Sequence, residues 1–277
     1  MSNQKPDNPW YDDSENQPFD LETAPLDNQR IWGGIDWGDD GSNPYRPNRI
    51  HVLAALQPTS EPYPPPVDAL RHIGQPGTVL HIFEPPAAYT TYPAELNQQH
   101  LHDLVRMARD RSLNTAFDNT NDVWAPIHAV YVLTELDISS VVEDLIPLLD
   151  LDQDWYDVTL ARKMGQTGHA ALQPLQTYLY DQSRWIYGRW RAAECLKEIG
   201  VETPELRNDV VATLSKVLEN AADQSPEFNG GIIGNLQDLS ASEALPVIRR
   251  AFELNNVDEL IVGNWLDVLH HFGQEPD

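Results

Sequence analysis

The densest concentration of groups able to recognise a ligand lies between residues 184 and 191. Arg184, Trp185, Tyr187, Arg189 and Arg191 all fall in that stretch, with Trp190 among them. Guanidinium forks suit carboxylates and phosphates, and aromatic faces supply large contact areas at protein interfaces. The charge around the cluster is uneven. Residues 123–161 hold eight acidic residues and no Lys or Arg, whereas residues 162–200 hold six basic and three acidic ones. Two readings follow. The arginines either pair with acids of the preceding structural unit, Asp154 or Asp157 being placed for it, or they form an external partner-binding site. Counting back from the apolar positions Ala193, Leu196 and Ile199 in helical steps puts Trp190 on the core face and Arg189 at its flank. The expectation is a structural Trp190 and at least one of Arg189 and Arg191 bonded to an acid, Asp157 first.

Other reactive residue types fail on spacing. Asp150, Asp152 and Asp154 open like a calcium loop, but Trp155 and Ala161 stand where such a loop needs Gly and Glu. A charged turn between helices fits better. His100 and His102, and likewise His270 and His271, are too close in sequence to share a helix face as metal ligands. Cys195 is the single cysteine. It sits between the core positions Ala193 and Leu196, far from the open cationic setting a reactive thiolate needs, and no intrachain disulfide is possible. No catalytic residue, metal or cofactor is assigned.

The chain has 277 residues, 43 acidic against 18 basic, for a formal charge of −25. Such a charge repels nucleic acid and anionic membranes and favours cationic partners. Met1–Asp13 has no apolar signal core, and no run approaches a membrane span, so a cytoplasmic protein is expected.

Three regions follow from composition. Residues 1–49 carry ten acidic and four basic residues with isolated aromatics, Trp32 and Trp37 among them, and read as a disordered acidic tail. Residues 50–118 read as an irregular α/β segment. Arg49–Leu56 is an apolar run, Pro62 and Pro64–Pro66 point to an extended path, Thr78–Phe83 has strand character, and a helix is expected near 93–111.

Residues 119–277 repeat. Apolar triplets recur as Val130-Leu133-Leu136, Ala161-Met164-Thr167, Ala193-Leu196-Ile199 and Ile233-Leu236-Leu239. Their central members are spaced by 31, 32 and 40 residues. A second apolar helix follows each triplet. Ser140 with Glu143, and Ser240 with Glu243, match the capping box. Thr203-Pro204 and Ser225-Pro226 match helix starts, and Gly200 a helix end. Paired helices at this period predict an all-α, HEAT-like solenoid of about four to five helix pairs over 119–277.

Val123–Ala129, Tyr187–Leu196 and Val257–Val268 resemble helices of bacterial HEAT-repeat proteins, similar to the DUF1186-like group and to phycobilisome-lyase-type repeats. The resemblance covers about residues 95–277. Relatives of that group end in a Cys-rich, SEC-C-like metal tail that this sequence lacks. The resemblance implies a fold and a binding habit without catalytic residues to carry over. The functional expectation is a non-enzymatic scaffold or adaptor for a protein with a basic surface. The alternatives are an immunity or inhibitor protein that neutralises a basic effector, and a bilin lyase-like enzyme, which the repeat resemblance alone suggests.

Overall fold

The computed structural model describes residues 46–74, 91–116, 120–151 and 157–275, without the side chains of Asp157 and Val158. Among these residues the protein is all-α and contains no strand. The acidic tail over 1–45 and the Thr78–Phe83 strand expectation lie outside the described residues.

Fourteen helices are described, beginning with α1 (Arg49–Ala55), α2 (Pro65–Asp68), α3 (Leu101–Ala108) and α4 (Arg111–Asn114). The apolar run at 49–56 is thus a helix, capped by Asn48, whose side chain accepts from Ile50 N–H. Pro65 and Pro66 do not extend the chain. They open α2, where a missing N–H costs nothing. The helix expected near 93–111 is shorter than its apolar pattern. A 3-10 turn over Gln98–His100, boxed by Asn97, leads into α3, which buries Leu101, Leu104, Val105 and Ala108. An isolated bridge between Gln57 and Asp110 joins the two ends of this segment.

The remaining helices alternate between two series. The first comprises α5 (Ala125–Thr134), α7 (Asp157–Gly165), α9 (Ile186–Glu202), α11 (Pro226–Asp238) and α13 (Glu259–Val262). The second comprises α6 (Val142–Leu145), α8 (His169–Tyr180), α10 (Arg207–Leu218) and α12 (Leu245–Glu253), with α14 (Trp265–His271) ending the described chain. Each member of the first series touches the next, as do α6, α8, α10 and α12 along the second. All four apolar triplets fall on helices of the first series or just beyond their ends. Met164, Leu133, Leu196 and Leu236 are buried in one core. That core also takes in Val52, Leu70 and Leu104, because α3 lies along α5 and α1 lies against the Ile146–Asp150 turn.

The helix boundaries differ in part from the sequence reading. Ser225 caps α11 through its hydroxyl, which accepts from Phe228 N–H, with Pro226 in the first position. Thr203 precedes Pro204 without a side-chain cap. The capping boxes at Ser140 and Ser240 do not form. Ser240 instead ends α11 in the left-handed conformation, φ 50°, with the following Ala241 N–H donating to Leu236 O at 3.0 Å. That is the chemistry of a helix C-terminus. Gly200 does not end α9, which runs on to Glu202. It lies inside the helix, where a Cβ would come within 2.8 Å of the Leu239 side chain.

Close approach also governs the α7–α9 contact. A Cβ on Gly165 would fall 2.5 Å from Glu198 Cβ and 2.9 Å from its carbonyl carbon. Gly165→Ala favours helix by intrinsic propensity but forces the two backbones apart. We expect a net loss of about 1–3 kcal/mol in a urea melt; an unchanged or raised midpoint would show that the two helices are not pressed together here.

Candidate functional site

The Arg/aromatic cluster is built around a carboxylate that the sequence placed in a charged turn. Asp150 has 0% of its surface exposed. It ends the 3-10 turn that follows α6, and α1, α8 and α9 converge on that turn. A carboxylate removed from water must be hydrogen-bonded and paired. Tyr178 Oη donates to Asp150 Oδ1 at 2.8 Å, and Arg184 Nη1 donates to Oδ2 at 2.5 Å. Arg184 Nε also reaches Asp181 Oδ2 at 3.3 Å, and its guanidinium lies 4.9 Å from the centre of the Tyr178 ring. Burial pushes the Asp150 carboxyl above its ordinary range, opposed by the charge of Arg184 and the bond from Tyr178. Burial pulls Arg184 down, but Asp150, Tyr178 and Asp181 outweigh it and raise it. Burial and Asp150 together hold the Tyr178 hydroxyl well above its usual range, so it stays a donor.

Gly188 lets α9 reach this network. A Cβ there would stand 2.5 Å from Tyr178 Oη and 2.6 Å from Leu149 O. One turn on, Arg191 Nη1 donates to Leu151 O at 2.7 Å, and its guanidinium lies 4.9 Å from the centre of the Trp185 ring. Trp185 is buried, and its indole Nε1 has no hydrogen-bond partner among the described residues.

Arg189 is more deeply buried than helical counting placed it, whereas Trp190 packs against the core with part of its surface exposed. Arg189 is buried at 5% exposure and Trp190 is half-buried. Arg189 Nε donates to Leu179 O at 2.9 Å, its Nη1 to Gln224 Oε1 at 2.9 Å, and its guanidinium lies 4.6 Å from the Phe228 ring centre. Its described partners are a carbonyl, an amide and an aromatic face, not an acid. Burial pulls its guanidinium below the ordinary range. Trp190 packs against Gly231 of α11, where a Cβ would overlap the indole. Its ring stacks on Tyr187 with centroids 6.4 Å apart and 18° between planes, and Tyr187 is 39% exposed. The error came from extrapolating one apolar stripe. In α9 the stripe broadens at its N-terminal end, because α8 and α11 cover that end from two sides.

The expected acids Asp154 and Asp157 lie outside the described side chains. The pairing reading therefore rests on Arg184, which joins Asp150 across 34 residues. Of the other candidates, Cys195 is fully buried with its Sγ 3.8 Å from Met164 Sδ. His100 closes the Asn97 capping box, and His271 Nε2 lies 3.1 Å from Gln237 O. A further open groove of about 670 Å³ between α12 and α14 is lined by Leu245, Arg249, Trp265, Leu266 and Leu269. Sequence reasoning missed Gly188 and Tyr178 as network members. A glycine followed at once by arginine inside a predicted helix was the available signal of a close approach.

No family model, curated protein or solved structure matches this chain.

Two substitutions separate packing from recognition. Asp150→Ala leaves Arg184, 27% exposed, without its buried partner, and should cost about 2–4 kcal/mol, less than a fully buried pair because water reaches the guanidinium. Arg189→Ala should cost about 2–4 kcal/mol, since it strands the Leu179 carbonyl and empties the space over Phe228. Denaturant melts measure both, and losses under about 1 kcal/mol would make these side chains surface groups in solution.

Proposed function

We propose that the protein is a non-enzymatic scaffold, a HEAT-like α-solenoid whose acidic surface binds a protein partner with a basic surface. Three features support the solenoid reading. The helices form two series, each member of which touches the next. Contacts within the first series run in parallel register: Met164 meets Cys195, while Trp190 meets Gly231 and Lys197 lies 3.8 Å from Asp238. These offsets of 31 and 41 residues are close to the apolar spacing of the sequence. An array of this kind offers extended surface for a partner.

The observation that carries the binding reading is how the cations are used. Arg71 is bonded to Asp122, Arg109 to Asp144, Arg184 to Asp150, Lys197 to Glu198 and Arg207 to Glu243. Arg189, Arg191 and Arg207 also donate to carbonyls of neighbouring turns. Most of these cations are thus engaged in holding helices and turns together, while Arg162, Lys216, Arg249 and Arg250 are exposed. Glu135, Asp137, Glu143, Glu202, Glu205, Glu219 and Asp223 face solvent. With a formal charge of −25, the field presented outward is negative and steers cationic partners. Among the described residues no helix is long and apolar enough to cross a membrane.

Affinity capture from a bacterial lysate at two ionic strengths tests this reading. Proteins retained near 0.05 M salt should be basic, and retention should fall at least about tenfold near 0.5 M as exposed charges are screened. Retention dominated by acidic proteins, or indifferent to salt, would overturn it.

A further inference from the structure

The exposed aromatic pair on α9 has a carboxylate one turn further along the same helix. Tyr187 and Trp190 stack face to face, and residue 194 follows Trp190 by four positions, the spacing that puts side chains above one another. Glu194 is half-buried, and among the described residues no hydrogen bond or ion pair reaches its carboxyl. Its neighbours are otherwise engaged. Lys197 Nζ lies 2.6 Å from Glu198 Oε1, and Arg191 donates to Leu151 O and covers the Trp185 ring. Burial raises the Glu194 carboxyl, more than Lys197 and Arg191 lower it, so the folded protein leaves this acid under-compensated.

The neighbouring helix adds a second orphan. The 41-residue register between α9 and α11, fixed by Trp190 on Gly231 and Lys197 beside Asp238, sets Asn235 alongside Glu194. Asn235 is 5% exposed, and its buried Nδ2 has no hydrogen-bond partner among the described residues. A half-buried carboxylate without a protein partner among the described residues thus lies on the helix face that carries the aromatic stack.

We propose that Tyr187, Trp190 and Glu194 form a receptor for a lysine or arginine side chain of a basic protein partner. The cation pairs with the Glu194 carboxylate while its stem lies on the Tyr187–Trp190 faces. Aromatic faces attract cations through the ring quadrupole, and a carboxylate beside them fixes where the charge sits. A phosphate or carboxylate ligand does not fit, since its charge would fall against Glu194, Glu198 and Asp238. The proposal rests on the acidic-scaffold reading and names where on that scaffold a partner is gripped.

Fluorescence anisotropy with labelled octalysine and octaarginine tests it on the full chain. The variants are Tyr187→Ala, which changes no charge, Glu194→Gln, which is isosteric, and Glu205→Gln, which removes an equal charge from an exposed position outside the cluster. Thermal melts confirm that each is folded, and Tyr187→Ala alters a side chain exposed enough to keep the test open if Glu194→Gln is unstable. Tyr187→Ala and Glu194→Gln should each weaken binding about fivefold or more, and Glu205→Gln by less than about twofold. Equal small losses for Glu194→Gln and Glu205→Gln, with Tyr187→Ala unchanged, would overturn the receptor and leave a diffuse acidic surface. Absence of binding by the wild-type protein at low salt would overturn both the receptor and the scaffold reading.

Discussion

A carboxylate with no exposed surface is the constraint around which the middle of this protein is arranged. Asp150 stays folded into the interior because a tyrosine hydroxyl and a guanidinium meet both of its oxygens. Those partners come from the end of α8 and from the turn before α9, so the acid ties three segments together. Gly188 then admits α9 to the same point, and α1 covers the turn from the other side. Replacing the acid and its partners by apolar groups could preserve stability. What an ion pair adds is a single registry, because a buried charge tolerates no slipped arrangement that leaves it alone.

From that point the stack is propagated by missing side chains as much as by present ones. Gly165 lies on the backbone of Glu198, Gly188 on Leu149 and Tyr178, and Gly231 under the indole of Trp190. At each of these places a helix of the first series approaches its neighbour more closely than a methyl group would allow. Leucines and isoleucines fill the space around these contacts, and dense packing sets the remaining distances. Arginines complete the links by donating to carbonyls at turns, where helix ends leave acceptors free. Arg207 does so at Leu239 and Ser240, as Arg189 does at Leu179.

The same use of arginine shapes the surface. Cations recruited to hold turns are withdrawn from solvent, whereas the acids, more than twice as numerous, remain outside. With a formal charge of −25, the outward field is strongly negative. It is on this background that a half-buried glutamate without a partner, beside an exposed aromatic stack, gains meaning. The fold supplies hydrogen-bond partners to its buried acids Asp110 and Asp150, whereas Glu194 has none among the described residues.

The sequence by itself determined the all-α class, the placement of four apolar triplets on successive helices and the burial of Cys195. These depend on local periodicity and on chain composition, which neighbours in space do not alter. It also separated an acidic stretch from a basic one and singled out residues 184–191. Tertiary structure alone decided what those residues do. Helical counting could not rank Arg189 below Trp190 in exposure, because α8 and α11 cover the start of α9 from two sides. Capping residues were misread for a related reason: Ser240 is chemically able to start a helix or to end one, and the packing of Leu239 against Gly200 chose the end. Asp150 looked like a solvated turn residue because the tyrosine and arginine that bury it lie 28 and 34 positions away. Burial of a charge is settled by partners distant in sequence, and only the folded chain brings them together.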